Sequence, residues 1–367
     1  MFDRRLVQYF DWGLMGLAIL IGCVGLITLY SAVTAETPTP QKVLFYKQLL
    51  WFSVGLVAMV VSFLFNYKIL DRWSQPIYFA CIALLIVVLI SGKYVGGSRR
   101  WLIIGPVSFQ PSELVKIGII LALARYYSKD AKTRGFTLRE LVRPVMIIML
   151  PVLLIGMQPD LGTAGLVVLI AVSITVFVKI ERRSFAYLFA SGAVLVPLIW
   201  FFLKEYQKKR ILVFLNPDRD PLGAGYHIIQ SKIAIGSGML SGKGYLKGTQ
   251  NALSFLPEEH TDFIFSVLAE EWGFLGSITL VLLFLILIIW GLNVAHGCRE
   301  PFGTIVAVGV TAMIFWQAFI NIGMSMGLLP VVGVPLPFVS YGGSSVLTTA
   351  ISIGLLLNVS MRRFMLD

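Results

Sequence analysis

Carboxylates crowd one short stretch of a chain that has few of them. LPEEHTDFIFSVLAEEWGF, residues 256–274, holds five of the nineteen Asp and Glu residues: Glu258, Glu259, Asp262, Glu270 and Glu271. A carboxylate within hydrogen-bond reach of a hydroxyl can take its proton during a transfer reaction. Asp262 stands where a helix is expected to begin, so an ordinary N-cap is the competing interpretation. Glu270 and Glu271 lie deeper along that helix, and we interpret them as partners of basic groups between membrane spans.

A second polar group opens another apolar segment. In FQPSELVKIG, Gln110, Glu113 and Lys116 recur at every third residue and fall on one face of a helix that Pro111 can start. Two interpretations stay open at equal weight. Glu113 and Lys116 form an ion pair that holds this helix against a neighbour, or they bind a substrate.

A long basic segment separates the seventh apolar stretch from the acidic one. It carries eight cations: Lys204, Lys208, Lys209, Arg210, Arg219, Lys232, Lys243 and Lys247. They could anchor lipid headgroups, or they could hold a diphosphate near the carboxylates, as transfer from a phosphate leaving group requires. Within this segment YHIIQSKIAI, residues 226–235, predicts a short helix lying in the membrane interface.

Glycine and proline mark three turns. GGSRRW, residues 96–101, is typical of an outer turn followed by an interfacial tryptophan. PLPFVSYGGSS, residues 335–345, predicts an irregular re-entrant turn, although Ser344 and Ser345 with their glycines could also expose amides to an anion. Asp160, in QPDLGT, is expected to cap a helix.

The composition gives the elements that must position these groups. With 57% hydrophobic and 13% charged residues and a mean hydropathy of +0.84, the chain is predicted to be an all-α polytopic membrane protein, and a soluble domain is excluded. We expect one membrane domain, residues 1–367, with a large outer loop at about 204–262 between spans seven and eight. The ten predicted spans are 12–33, 46–65, 74–92, 110–127, 143–158, 160–178, 186–203, 263–291, 303–326 and 344–361.

The short loops set the expected orientation, because Lys and Arg collect on the cytoplasmic side. Both termini are therefore expected to be cytoplasmic and the 204–262 loop to lie outside. The cations on the inner side are Arg4, Arg5, Lys68, Arg72, Lys129, Lys132, Arg134, Arg139, Arg143, Lys179, Arg182, Arg183, Arg299, Arg362 and Arg363. The net charge of +11 fits anionic lipid headgroups, so we expect no nucleic-acid partner.

Four blocks in order along the chain give it a family resemblance. QPSELVK (110–116), QPDLGTAG (158–165), LPEEHTDFIFSVLAEEWG (256–273) and PLPFVSYGGSS (335–345) together resemble the SEDS family of bacterial cell-wall proteins. The short N-terminus and the sequence of residues 247–271 are most similar to the RodA branch of this family, which acts in elongation. The FtsW branch, which acts in division, is the alternative.

The resemblance implies a fold, an activity and a site. It implies a fold like that of GT-C glycosyltransferases and the polymerisation of lipid II into glycan strands on the outer face of the bacterial inner membrane. The family's essential aspartate falls on Asp262, and its other site residues fall on Glu113, Lys116, Arg210 and Gln230. Lipid II, the nascent strand, a class B penicillin-binding protein and other elongation proteins are the implied partners. A lipid II flippase and a non-catalytic scaffold remain the rival classes.

The same chemistry raises the question of a metal. A divalent cation, Mg²⁺ or Mn²⁺, could sit between a carboxylate and the substrate's diphosphate, because Mg²⁺ commonly combines one or two carboxylates with phosphate oxygens. The sequence leaves that requirement open.

Overall fold

The computed structural model describes residues 10–34, 42–95, 98–105, 107–129, 135–202, 205–217, 220, 223–249 and 260–363. In chain order its elements are α1 (Trp12–Thr34), α2 (Lys42–Leu64), α3 (Tyr67–Ser91), β1 (Lys93–Val95), β2 (Ser98–Ile104), β3 (Val107–Phe109), α4 (Pro111–Lys129), α5 (Leu138–Met157), α6 (Leu161–Phe177), α7 (Arg182–Phe202), α8 (Glu205–Leu215), α9 (Ala224–Ser237), α10 (Ile264–Gly297), α11 (Pro301–Ser325) and α12 (Gly343–Arg362).

A helix occupies each of the ten predicted spans. Seven of these, α1, α2, α3, α5, α10, α11 and α12, are long and apolar enough to cross a membrane, and α6 is a shorter apolar helix. The protein is therefore an all-α polytopic membrane protein, as predicted. The predicted limits of the fifth and sixth spans, 158 and 160, leave room only for a tight turn. That turn is present, since α5 ends at Met157 and α6 begins at Leu161. Asp160 caps α6, as predicted, by accepting from the Thr163 amide.

The loop before α4 is more regular than the predicted turn. Strand β2 pairs antiparallel with both β1 and β3 and forms a three-stranded sheet. The turn residues 96 and 97 lie outside the described residues. The sequence prediction missed these strands because their pairing, rather than a long alternating pattern, defines them.

The core lies around α4, α11 and α12. Most side chains of these three helices are buried, whereas few side chains of α2 and α5 are buried. Helix α2 packs along α12, and α4 packs against α3 and α11. The polar segments around residues 110 and 335–345 lead into α4 and α12 of this core, and residue 262 lies just before α10.

Helix α10 is broken near its start. Gly273 has φ 64° and ψ −158°, a conformation open essentially to glycine alone. The two amides that follow donate to the carbonyl oxygens of Met239 and Leu240, at 2.9 and 3.1 Å. The carbonyl oxygens of Glu270 and Glu271 accept from two amides of the same loop, each at 3.0 Å. The 238–249 loop therefore replaces the hydrogen bonds that the break removes from the helix.

Candidate active site

Two predicted site residues, Asp262 and Arg210, line one cavity. The cavity has a volume of about 240 Å³, and its other lining residues are Val213, His227, Ile228, Phe263 and Val331. Residues from α8, α9, the start of α10 and the segment after α11 meet there. A carboxylate and a guanidinium on one cavity can serve a proton transfer and an anionic leaving group respectively.

Asp262 lies in the turn that leads into α10. The helix begins at Ile264 with Phe263 in the N-cap position and no side-chain cap bond there. Asp262 is thus one residue earlier than the ordinary capping interpretation requires. Its side chain is half-buried, and a Cβ placed on Gly333 would lie 3.4 Å from its Oδ2. The carboxylate therefore rests against the glycine backbone of the 331–334 segment.

Arg210 reaches the cavity from α8. Its side chain is exposed, and its Nη1 donates to the carbonyl oxygen of Val331 at 3.4 Å. This long bond ties α8 to the same segment that supports Asp262. The sequence analysis did not predict α8. It also did not predict the contact between α8 and Val331, because that contact joins residues 121 positions apart.

His227 is a cavity residue that the sequence analysis missed. Its ring stacks on Phe263, with the centroids 6.1 Å apart and an interplanar angle of 8°. Helix α9, predicted as 226–235 and found at Ala224–Ser237, brings it there. The only available signal was a polar ring within YHIIQ, which is equally compatible with a lipid-interface residue.

The predicted residues Lys116, Glu113 and Gln230 are not among the described residues lining this cavity. Lys116 Nζ and Glu113 Oε2 lie 2.7 Å apart on α4, and both side chains are almost fully buried. The ion pair is therefore real, although it forms within one helix. Gln230 is half-buried on α9.

The 335–345 segment is a tightly hydrogen-bonded turn. Ser344 is 2% exposed, and its hydroxyl accepts from the Gln110 amide at 2.9 Å. Gln110 also donates through Nε2 to Asp160 Oδ2 at 3.2 Å. Residues 335–342 form neither helix nor strand, which agrees with an irregular turn. The burial of Ser344 and its bond to Gln110 leave it poorly placed for the alternative role of receiving an anion from solvent.

A half-buried tyrosine ring lies next to the turn that carries Asp262. The Tyr341 ring packs edge-on against His260, with the centroids 5.9 Å apart. Burial raises the pKa of Tyr341 above its ordinary value. A phenol is already neutral near pH 7 at its ordinary pKa of about 10, and this upward shift makes Tyr341 a still weaker candidate for the base.

The two later acids of the opening stretch are buried and hydrogen-bonded to other segments. Glu270 is 1% exposed, and its Oε1 lies 2.6 Å from Lys243 Nζ and accepts from the Thr249 amide at 2.9 Å. Glu271 Oε1 accepts from the Ser31 hydroxyl of α1. The expected basic partner of Glu270 thus comes from the 238–249 loop and not from another span. For Glu271 the described side-chain partner is the Ser31 hydroxyl rather than the expected basic group. Glu258 and Glu259 lie outside the described residues.

The described residues hold no group of three or more His, Cys, Asp and Glu side chains arranged to bind a metal. Asp262 is the acidic side chain among the described residues that line the cavity. One carboxylate together with substrate phosphate oxygens is a donor set that Mg²⁺ accepts.

Comparison with known sequences gives a family. The FtsW/RodA/SpoVE family model, described as "Cell cycle protein", matches residues 11–364. The peptidoglycan glycosyltransferase MrdB of Escherichia coli (strain K12) is 42% identical over 348 residues, which cover 93% of this chain and 92% of that one. Stage V sporulation protein E of Bacillus subtilis (strain 168) is 40% identical over 357 residues, which cover 95% and 96%.

Solved structures share the fold. One match is a chain from a peptidoglycan synthase complex that coordinates polymerization and crosslinking. It has a TM-score of 0.82 and 32% identity, and the match covers 97% of this chain and 98% of that one. The rod shape determining protein RodA of Thermus thermophilus matches with a TM-score of 0.72 and 30% identity, with coverage of 97% and 98%.

Proposed function

The chain belongs to the FtsW/RodA/SpoVE family, and from this premise we propose that it is a peptidoglycan glycosyltransferase that joins lipid II units into β-1,4 glycan strands during cell elongation. The observation that carries the proposal is the cavity on which Asp262 and Arg210 meet. A base and a cation at one solvent-reachable site are the minimum that sugar transfer from a diphosphate requires.

The reaction assigns Asp262 the part of general base. The 4-hydroxyl oxygen of the acceptor GlcNAc attacks the anomeric carbon of the donor MurNAc, and its proton passes to the Asp262 carboxylate. The bond from that carbon to the diphosphate oxygen breaks, and its electron pair leaves with the undecaprenyl diphosphate. Because an α-linkage becomes a β-linkage in one displacement, no covalent sugar–carboxylate intermediate is needed.

Arg210 is assigned to the departing diphosphate. Its guanidinium presents paired N–H donors that match phosphate oxygens, and its exposure leaves those donors accessible. Lys116 and Gln230 are retained as substrate-binding candidates with Glu113 as the partner of Lys116. The charge of Lys116 is largely balanced by Glu113 at 2.7 Å, so Arg210 is the stronger candidate for neutralising the leaving group.

A divalent cation, Mg²⁺ or Mn²⁺, fits the same arrangement. Asp262 would be its protein ligand, and the cation would neutralise negative charge on the diphosphate when bound. The test is polymerisation after chelation, with each metal then added back. A rate that survives exhaustive chelation would reject the cation.

Partner and location follow from the family. We propose that a class B penicillin-binding protein cross-links the strands beside this chain, which the similarity to a chain of a peptidoglycan synthase complex supports. Other elongation proteins would join them. The distribution of Lys and Arg supports a site on the outer face of the bacterial inner membrane with both termini cytoplasmic.

Reconstitution with labelled lipid II tests the function against its rivals. The purified chain, with its transpeptidase partner where required, should produce glycan polymer and release undecaprenyl diphosphate. Transport of lipid II across the vesicle membrane without polymer would indicate a flippase. Polymer formed only when another transferase is added would indicate a scaffold.

A further inference from the structure

The turn that carries Asp262 is fixed through its backbone. Three consecutive carbonyl oxygens in this turn each accept a hydrogen bond from a group near the C-terminal end of the chain. The bonds run from the Tyr341 amide to His260 (2.9 Å), from the Ser340 hydroxyl to Thr261 (2.5 Å) and from the Asn321 side-chain amide to Asp262 (3.0 Å). All three donors come from α11 or from the re-entrant turn before α12.

Asn321 links two parts of the cavity wall. Its Nδ2 donates to the carbonyl oxygen of Val334 at 2.8 Å as well as to that of Asp262. Carbonyl oxygens only accept hydrogen bonds, so these two contacts fix the orientation of the amide. Val334 follows Gly333, against which the Asp262 carboxylate rests. One fully buried amide therefore joins the backbone of Asp262 to the segment beneath its side chain.

Ser340 anchors the same turn to the membrane helices. Its hydroxyl accepts from the Leu336 amide at 2.9 Å while donating to Thr261. Its carbonyl oxygen accepts from Gln48 Nε2 at 3.1 Å, and Gln48 Oε1 accepts from the Gly342 amide at 3.1 Å. The side-chain amide of Gln48 on α2 thus holds both ends of a short backbone segment.

We propose that Asn321 and Ser340 are positioning residues for the Asp262 carboxylate. The inference rests on the proposed role of Asp262 as the base. Neither residue needs to touch the substrate, because each acts by fixing the backbone from which that carboxylate projects. A shift of about 1 Å in a reacting group can cost about 10²-fold in rate, so losing either bond should affect turnover more than substrate binding.

The chain contains a matched control for Asn321. Asn358 is equally buried, on α12, and its Nδ2 also donates to two backbone carbonyl oxygens, those of Ser62 (2.7 Å) and Phe65. These lie at the α2–α3 junction, away from the cavity. Asn358 Oδ1 also accepts from the Tyr67 amide at 3.3 Å and from the Arg362 guanidinium, so Asn358→Ala should lose at least as much thermal stability as Asn321→Ala. A purely structural role for Asn321 would therefore lower kcat no more in Asn321→Ala than in Asn358→Ala.

The experiment compares Asn321→Ala with Asn358→Ala in the full-length protein, together with its transpeptidase partner where polymerisation requires it. The readouts are the thermal midpoint of unfolding and the kcat and KM for lipid II, measured well below both midpoints. We expect both variants to lose thermal stability. Asn321→Ala alone should lose kcat, by about 10- to 100-fold with KM little changed.

Ser340 provides an independent arm if Asn321→Ala fails to fold. Ser340→Ala should lower kcat, and Ser340→Thr, which keeps the hydroxyl, should restore most of it. Equal loss of kcat in Asn358→Ala and Asn321→Ala, or normal kcat in the Asn321 and Ser340 alanine variants, would overturn the proposal. An Asp262→Asn arm separates the two claims. If that variant polymerises normally, the base assignment is wrong; if it is inactive while Asn321→Ala and Ser340→Ala are normal, only the positioning role is wrong.

Discussion

Asp262 and Glu270 lie eight residues apart on one stretch of chain, and their surroundings differ. The Asp262 carboxylate is half-buried and lines a cavity that Arg210 also reaches. The Glu270 carboxylate is fully buried, and one of its oxygens takes bonds from the ammonium of Lys243 and from the amide and hydroxyl of Thr249. The first has space beside it for a ligand, whereas the second closes a loop onto a broken helix.

The comparison indicates that the surroundings of an acidic side chain decide its role. One of two neighbouring acids can serve the reaction while the other stabilises the fold. A buried carboxylate that is fully engaged with a cation and an amide stabilises the fold and has little capacity to exchange a proton with a substrate. A partly accessible carboxylate that lines a cavity can meet a ligand there. The Glu113–Lys116 pair, buried at 2.7 Å, resembles the Glu270 region more than the Asp262 region.

Apart from substitutions of Asp262, the largest effect is expected for Lys116, as a loss of stability. Lys116→Met leaves Glu113 as an uncompensated buried charge, which typically costs about 3–5 kcal/mol in stability. The double variant Glu113→Leu with Lys116→Met should recover much of that loss, measured by chemical or thermal unfolding in detergent. If the recovered double variant also polymerises lipid II normally, the pair is structural. If it is stable yet inactive, Lys116 contacts the substrate and belongs with Asp262.

The next largest effect is expected for Arg210, as a loss of polymerisation activity. Arg210→Ala removes the cation assigned to the diphosphate, so polymerisation should fall by about 10- to 100-fold, below the upper range for loss of a preorganised donor because Arg210 is exposed. Thermal stability should stay close to that of the unmodified protein. Lys209→Ala is the control, because Lys209 is the adjacent cation and pairs with Asp220 at 2.9 Å. Equal losses of polymerisation in both variants would show that Arg210 contributes only general positive charge at the surface.

The smallest effect on turnover is expected at Glu270. Glu270→Gln replaces the charge-assisted bond to Lys243 with a neutral one and should lower stability by about 1.5–3 kcal/mol. The polymerisation rate below the unfolding temperature should stay near normal. A double-mutant cycle with Lys243→Met should give a positive coupling energy between the two side chains. A large loss of turnover in a stable Glu270→Gln protein would contradict the assignment of a structural role to Glu270 and a catalytic role to Asp262.

The positions of the long helices could be predicted from the sequence, since apolar length dictates a membrane span. Asp160 could be predicted as a cap because Thr163 follows at the spacing that capping uses. Asp262 and Arg210 were named from family motifs, and the fold brings them to one cavity.

The remaining features depend on contacts between distant segments. The sheet before α4 depends on strand pairing, and the stacking of His227 on Phe263 depends on how α9 docks. The break at Gly273 was hidden because a glycine within a helical pattern is compatible with a continuous helix. The bonds from Asn321 and Ser340 join residues 59 and 79 positions apart, and no local pattern specifies such partners.

The most direct test of the account is the single-turnover rate of Asp262→Asn with saturating lipid II. Asn keeps the size and polarity of the side chain but cannot accept the proton. Glu205→Gln is the control, because Glu205 is an exposed acid on α8 paired only loosely with Lys208 at 3.4 Å. The account predicts that Asp262→Asn folds and binds lipid II but forms the first glycosidic bond about 10²–10⁴-fold more slowly, whereas Glu205→Gln is normal. Near-normal bond formation by Asp262→Asn, with contaminating transferases excluded, would contradict it.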